Sequence, residues 1–106
     1  MFAVIYKSAI KRGKEELFVQ TWKIIAQHFI KHRGAIGSSL HKAEDGVWIA
    51  YSRWPSRAVR DASWGDNKEI LPNEILKAIE QLKACQEEQY PEICMEVIED
   101  LLIQCK

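Results

Sequence analysis

Three histidines, His28, His32 and His41, are the side chains best placed to move a proton near neutral pH, since a free imidazole titrates at about pH 6.5. His28 lies one step from the apolar stripe of a helical segment. There it is a candidate base for the phenolic proton of an aromatic substrate, and otherwise a partly exposed histidine with an ordinary hydrogen bond. His32 reads as a positive end to the same helix, and His41, on a strand of small residues, as a candidate substrate contact. His28 and His32 share one side of the helix. The run His28-Phe29-Ile30-Lys31-His32 lacks the carboxylate of a metalloprotease helix, and a third ligand is missing, so no metal is expected. Tyr51 and Arg53 alternate onto one face of a strand. They are candidates to orient a phenolate or oxyanion, with a hydrogen-bonded tyrosine and an arginine at the rim of a subunit interface as the alternative. Of the four tryptophans, Trp64 is the candidate wall of a pocket. Trp22 is a core residue and a candidate substrate contact. Tyr6 and Asn67 complete the candidate contacts.

The elements that must position these groups follow from periodicity. Residues 2–10 (FAVIYKSAI) carry apolar side chains on both alternating faces, the pattern of a strand buried on both sides. Phe18, Trp22, Ile25 and Phe29 recur at helical spacing over 14–32, with acidic residues at the start, basic ones at the end and Gly34 as the stop. Residues 35–43 form a second strand, Asp45-Gly46 a hairpin turn and 47–54 a third strand closed by Pro55. Ser56 is expected to cap a short helix over 57–64, and Gly65-Asp66-Asn67 to end it. Asn73 is expected to cap a later helix with Ile75, Leu76, Ile79 and Leu82 buried. Cys94–Ile98 reads as the closing strand, and the rest of the chain is open between strand and helix.

Strand, helix, hairpin, helices, strand predicts an α+β fold: a ferredoxin-like βαββαβ arrangement with a four-stranded antiparallel sheet, its helices on one face. At 106 residues the chain is expected to be a single domain, 1–106. The other sheet face also carries apolar side chains, and a homodimer is expected to bury it. Removing about 1,000 Å² of apolar surface contributes roughly 25 kcal/mol before entropic losses. Acidic and basic residues balance at 15 each, which argues against a nucleic-acid partner. No apolar run is long enough to span a membrane. The N-terminus reads as a strand rather than a leader, so a cytoplasmic location is expected. Cys85, Cys94 and Cys105 form no CxxC pair and are expected to be buried free thiols. No dinucleotide fingerprint, P-loop or nucleophile elbow occurs, and no cofactor is expected.

The first strand FAVIYKSAI, the amphipathic helix and the stretch GSSLHKAEDGVWIAYSRWPSRAVRDAS together resemble the antibiotic-biosynthesis-monooxygenase group of dimeric α/β-barrel proteins. The most specific part is Tyr51-Ser52-Arg53-Trp54 followed by Pro55-Ser56-Arg57-Ala58. The resemblance implies homodimers with a pocket between sheet and helices in each subunit. Characterised members of that group oxygenate aromatic polyketides without a cofactor, oxygenate quinols or degrade haem, and many other members have no known activity. The polyketide type uses Asn, Trp, Tyr and Arg around the pocket, which points to Trp64, Tyr51 and Arg53 here, with Asn67 past the helix end. The haem type uses a first-strand Asn and a late His. Lys7 and Ser8 stand where that Asn would be sought, and no His follows position 41, so haem is not implied. The expected function is a cofactor-independent monooxygenase of a small aromatic or quinol. The alternative is a non-catalytic ligand-binding or dimeric interaction domain on the same scaffold.

Overall fold

A computed structural model describes residues 1–64 and 71–102. The order is β1 (Phe2–Ile10), α1 (Glu15–His32), β2 (Gly37–Lys42), β3 (Trp48–Trp54), α2 (Arg57–Trp64), α3 (Asn73–Cys85), β4 (Gln86–Gln89) and β5 (Ile93–Glu96). The sheet runs β2-β3-β1-β4, with β5 also on β1, and every pairing is antiparallel. This is the ferredoxin-like α+β arrangement, with five strands where four are expected. Ser8 faces Gln89 and Ile5 faces Ile93 across the same edge of β1. β4 and β5 are therefore one edge strand interrupted at Tyr90-Pro91-Glu92. Proline cannot donate to a ladder, and an edge is where a sheet tolerates it. The Gln86-Glu87-Glu88-Gln89 run has no apolar pattern. It is a strand because β1 supplies its hydrogen-bond partners, and its charged side chains keep that edge in water.

Strand alternation sorts the side chains. Phe2, Val4, Tyr6, Ser8, Trp48, Ala50, Ser52 and Trp54 face the helices, paired Phe2 with Trp54, Val4 with Ser52, Tyr6 with Ala50 and Ser8 with Trp48. The core joins Phe2, Val4 and Trp54 of the sheet to Ile25 and Phe29 of α1 and Ala78 of α3. Ile5, Ile49, Tyr51 and Arg53 face the other way, where no helix lies. The segment after β5 returns across that side. The Val97 N–H donates to the Met1 carbonyl, and Arg53 pairs with Asp100 at 2.5 Å. Ile98, Leu101 and Leu102 in this segment stay 62–92% exposed. Residues 97–102 have no regular structure.

Local chemistry explains most boundaries. The Val59 N–H donates to Ser56 Oγ at 3.2 Å, the expected cap of α2. α3 differs at two points. Asn73 is its first helical residue, the capping position falls on Pro72, and the Ile75 N–H donates to the Pro72 carbonyl. A proline fixes the entry dihedral here without a side-chain cap. Leu76 is exposed rather than buried, because α3 packs through Ile75, Ala78 and Cys85 with Ile79 and Leu82 at the margin. Among the described residues no helix is long and apolar enough to cross a membrane.

Gly34 sits at φ +86°, where a Cβ would lie 2.9 Å from Val59 Cγ1 of α2, whereas Gly13 at φ +84° has open space around it. Gly34→Ala is expected to cost the left-handed backbone penalty of about 1–2 kcal/mol plus the displacement of Val59, and Gly13→Ala only the former. Urea unfolding of the two variants checks this. Equal losses would show that α2 yields freely at Val59.

Candidate functional site

Between the helices and the inner sheet face lies a cavity of about 410 Å³. Its origin is a pattern of large and small side chains. Phe18 of α1 meets Trp48 edge-on at 5.6 Å, and Phe29 meets Trp54 edge-on at 6.4 Å. The phenylalanines are eleven residues apart on a helix, roughly 16 Å. The tryptophans are six apart on a strand, about 20 Å. These two aromatic pairs hold α1 off β3 at both ends. Between them, beside Tyr6 and Leu40 of the sheet and Trp22 and Ile25 of α1, stand the short side chains of Ser8, Ser38, Ala50, Ser52 and Ala26, all lining the cavity. Such short side chains cannot fill the space under the helix. Trp22 and Trp64 add further aromatic wall. Trp64 stacks on Phe29 at 4.3 Å and is 47% exposed, at one margin of the cavity.

The cavity is polar around Arg60, Tyr6 and Glu92. The Arg60 guanidinium donates through Nη2 to Glu92 Oε2 at 2.5 Å and to Tyr6 Oη at 3.4 Å, with its charge 5.9 Å from the Tyr6 ring centre. Burial works against the charged guanidinium, but the Glu92 and Tyr6 hydrogen bonds outweigh it and hold Arg60 above the usual arginine range. Glu92 enters the lining where the edge strand breaks between β4 and β5. A second opening there is shared by Tyr6, Gln89, Tyr90 and Glu92.

Of the candidates named from the sequence, Tyr6, Trp22 and Trp64 line this cavity. Four others lie elsewhere. Tyr51 and Arg53 occupy the opposite sheet face, because alternation along β3 turns Ser52 and Trp54 inward. The Asp100 hydrogen bond raises Arg53 and lowers Asp100 from their ordinary pKa values. His41 is on that face too, exposed and bonded to Ser39 Oγ at 2.8 Å. His28 sits on α1 outside the cavity lining, its ring 4.9 Å from that of His32. Asn67 falls outside the described residues. Arg60 and Glu92 were missed. Arg60 is four residues before Trp64, hence on the same helix face, and that spacing was a usable signal. Nothing in the local pattern marks Glu92.

An antiparallel sheet ordered β2-β3-β1-β4, with helices over the face that holds this partly open cavity, defines this chain as a ferredoxin-like α+β domain. Residues 1–65 match the family model for antibiotic biosynthesis monooxygenase, and the chain belongs to that family. SnoaB, a cofactor-independent oxygenase from Streptomyces nogalater solved as a point variant, superposes with a TM-score of 0.72 at 13% identity, over 94% of this chain and 95% of that one. A candidate antibiotic biosynthesis monooxygenase from Chloroflexus aurantiacus J-10-fl gives 0.74 at 11% identity, over 97% and 98%. Rv0793 from Mycobacterium tuberculosis gives 0.72 at 14%, over 95% and 98%. At these identities the likeness is one of fold. No curated protein matches the chain.

His28 has a measurable consequence for stability. Its Nε2 is buried without a hydrogen-bond partner among the described residues. Burial first, then the His32 and Arg33 charges, lower its pKa, against an opposing pull from Glu74. The unfolded chain therefore takes up this proton before the folded one does. The associated stability is full above the free value of about 6.5 and declines as pH falls through it toward the lower folded value. Urea midpoints followed from about pH 7 to about pH 5 should show a steeper loss in the native protein than in His28→Gln. Parallel curves would remove His28 from the account.

Proposed function

We propose that this protein is a homodimeric, cofactor-independent monooxygenase of a small planar aromatic or quinol. The observation that carries the reading is the cavity, aromatic on its walls and polar at Arg60, Tyr6 and Glu92, in a member of this family. Without flavin or metal the electrons for oxygen come from the substrate. A deprotonated phenol or quinol gives one electron to O2. The two radicals combine as a peroxide, whose collapse leaves one oxygen on carbon as a carbonyl and releases the other as water. The protein's part is to hold the ring still in a dry site and stabilise the anion. Trp22, Trp64 and Phe29 suit the first task, Arg60 and Tyr6 the second.

The dimer in this reading forms through the face opposite the cavity. Ile5, Ile49 and Tyr51 are half-buried there without a helical cover, and Ile93 of β5 is 45% exposed. A second copy of the same face is the self-complementary way to bury them.

One observation favours the non-catalytic alternative. His28 and His41, the groups suited to proton transfer from their type alone, stand outside the cavity lining. Oxygen uptake separates the readings. With a panel of anthrones and quinols the monooxygenase consumes O2 saturably. Saturable binding without uptake for any of them favours a binding domain. Two substitutions divide cavity from interface. Trp64→Ala should weaken aromatic binding at least about tenfold, the loss of a stacking wall, and still sediment as a dimer. Tyr51→Glu should sediment as a monomer. A dimer lost in Trp64→Ala, or kept in Tyr51→Glu, would contradict the assignment of the two faces.

A further inference from the structure

The polar end of the cavity has a more specific character than its family membership implies. Arg60 is only 13% exposed as a side chain, and it already contacts two carboxylates: Glu92 through Nη2, and Asp61 Oδ1 at 3.2 Å through Nη1. A third anion arriving at this guanidinium would meet the charge of both. The pair keeps hydrogen-bonding capacity. Arg60 Nη2 gives its two N–H groups to Glu92 and Tyr6 and Nε is buried out of a ligand's reach, but Nη1 gives only one of its two, to Asp61, among the described residues. Glu92 Oε1 has the Cys94 thiol, 3.6 Å away, a weak donor that a hydroxyl readily outcompetes. One donor and one acceptor, on side chains already ion-paired to each other, are matched by a ligand presenting one acceptor and one donor on neighbouring atoms. Lys83 also lines the cavity. It is exposed and carries no contact to the pair among the described residues, and water screens its charge as it partly screens the 40% exposed Glu92 side chain, so the hydrogen bonds of Arg60 and Glu92 carry the selection.

We propose that Arg60 and Glu92 together select a neutral aromatic ring bearing two adjacent oxygens, at least one of them a hydroxyl, in preference to an aromatic carboxylate. One ligand oxygen accepts from Arg60 while the neighbouring hydroxyl donates to Glu92. The ring extends from there along the wall of Trp22 and Trp64. This rests on the reading of the cavity as an aromatic-substrate site and names the edge of the substrate that the site reads. It also places the ligand hydroxyl proton against a carboxylate oxygen, with a guanidinium beside the oxygen left behind, the arrangement an ionising substrate requires.

Calorimetric titration of the full chain with 2,3-dihydroxynaphthalene, 2-naphthol and 2-naphthoate tests the proposal. The three share a ring system and differ at its edge. The diol should bind at least about tenfold tighter than 2-naphthol, the scale of one hydrogen bond to a charged group, and 2-naphthoate should bind most weakly. In Glu92→Gln the advantage of the diol should shrink to within about threefold, and 2-naphthoate should gain about tenfold as one opposing charge is removed. Equal binding of diol and 2-naphthol by the native protein, or tighter binding of 2-naphthoate than of the diol, would overturn the proposal whatever the variant does. Binding of all three without discrimination leaves the aromatic cavity standing and refutes only this selectivity. Binding of none overturns the cavity reading, and this inference with it.

Discussion

The site depends on two aromatic pairs that fix the distance between α1 and β3. Phe18 against Trp48 and Phe29 against Trp54 act as props at the two ends of the helix. Between them the sheet beneath α1 carries Ser8, Ser38, Ala50 and Ser52 beside Tyr6 and Leu40. Had Ser8, Ala50 and Ser52 been leucines or valines, the same props would enclose an ordinary core. A folded interior is packed nearly as tightly as an organic crystal, so forgoing that packing loses stability that larger side chains would supply. The sheet gives it up on the stretch where Tyr6 and Ser8 of β1 lie beside Ala50 and Trp48 of β3. The core reassembles toward Phe2, Val4 and Trp54, with Val4 fully buried.

The props also decide what each sheet face does. The inner face closes over the cavity, with Arg60 brought in from α2 and Glu92 from the break in the edge strand. The outer face keeps Ile5, Ile49 and Tyr51, and the Arg53–Asp100 pair ties the segment after β5 across it. Tyr51 and Ser52 are neighbours in sequence and serve opposite sides of the sheet. A change at one reaches the other only through the backbone they share.

The topology was legible because it follows from periodicity. The stripe Phe18, Ile25 and Phe29, the Asp45-Gly46 turn and the Ser56 cap each had a local cause, and each is where that cause puts it. The alternation along β3 was legible too, but not the identity of its faces. Trp48, Ala50, Ser52, Trp54 and Val47, Ile49, Tyr51, Arg53 are both apolar enough to lie under helices, and only the docking of α1 chooses between them. Tyr51 and Arg53 were therefore drawn toward a site they do not line. β4 was illegible for a related reason. Gln86-Glu87-Glu88-Gln89 carries no strand signal of its own and is extended because β1 has an unpaired edge to offer. With β4 unread, the break after it and the inward Glu92 were unread as well.

The central claim is that the space beneath α1 is a binding cavity left open by residue choice. Ala50→Leu tests it most directly, since Ala50 is buried on the cavity floor. If the claim is right, the added side chain fills existing space. The midpoint of thermal unfolding then holds or rises, and binding of 2,3-dihydroxynaphthalene is lost. A lowered midpoint, showing a strained core with no room to fill, or binding that survives the substitution, would contradict it.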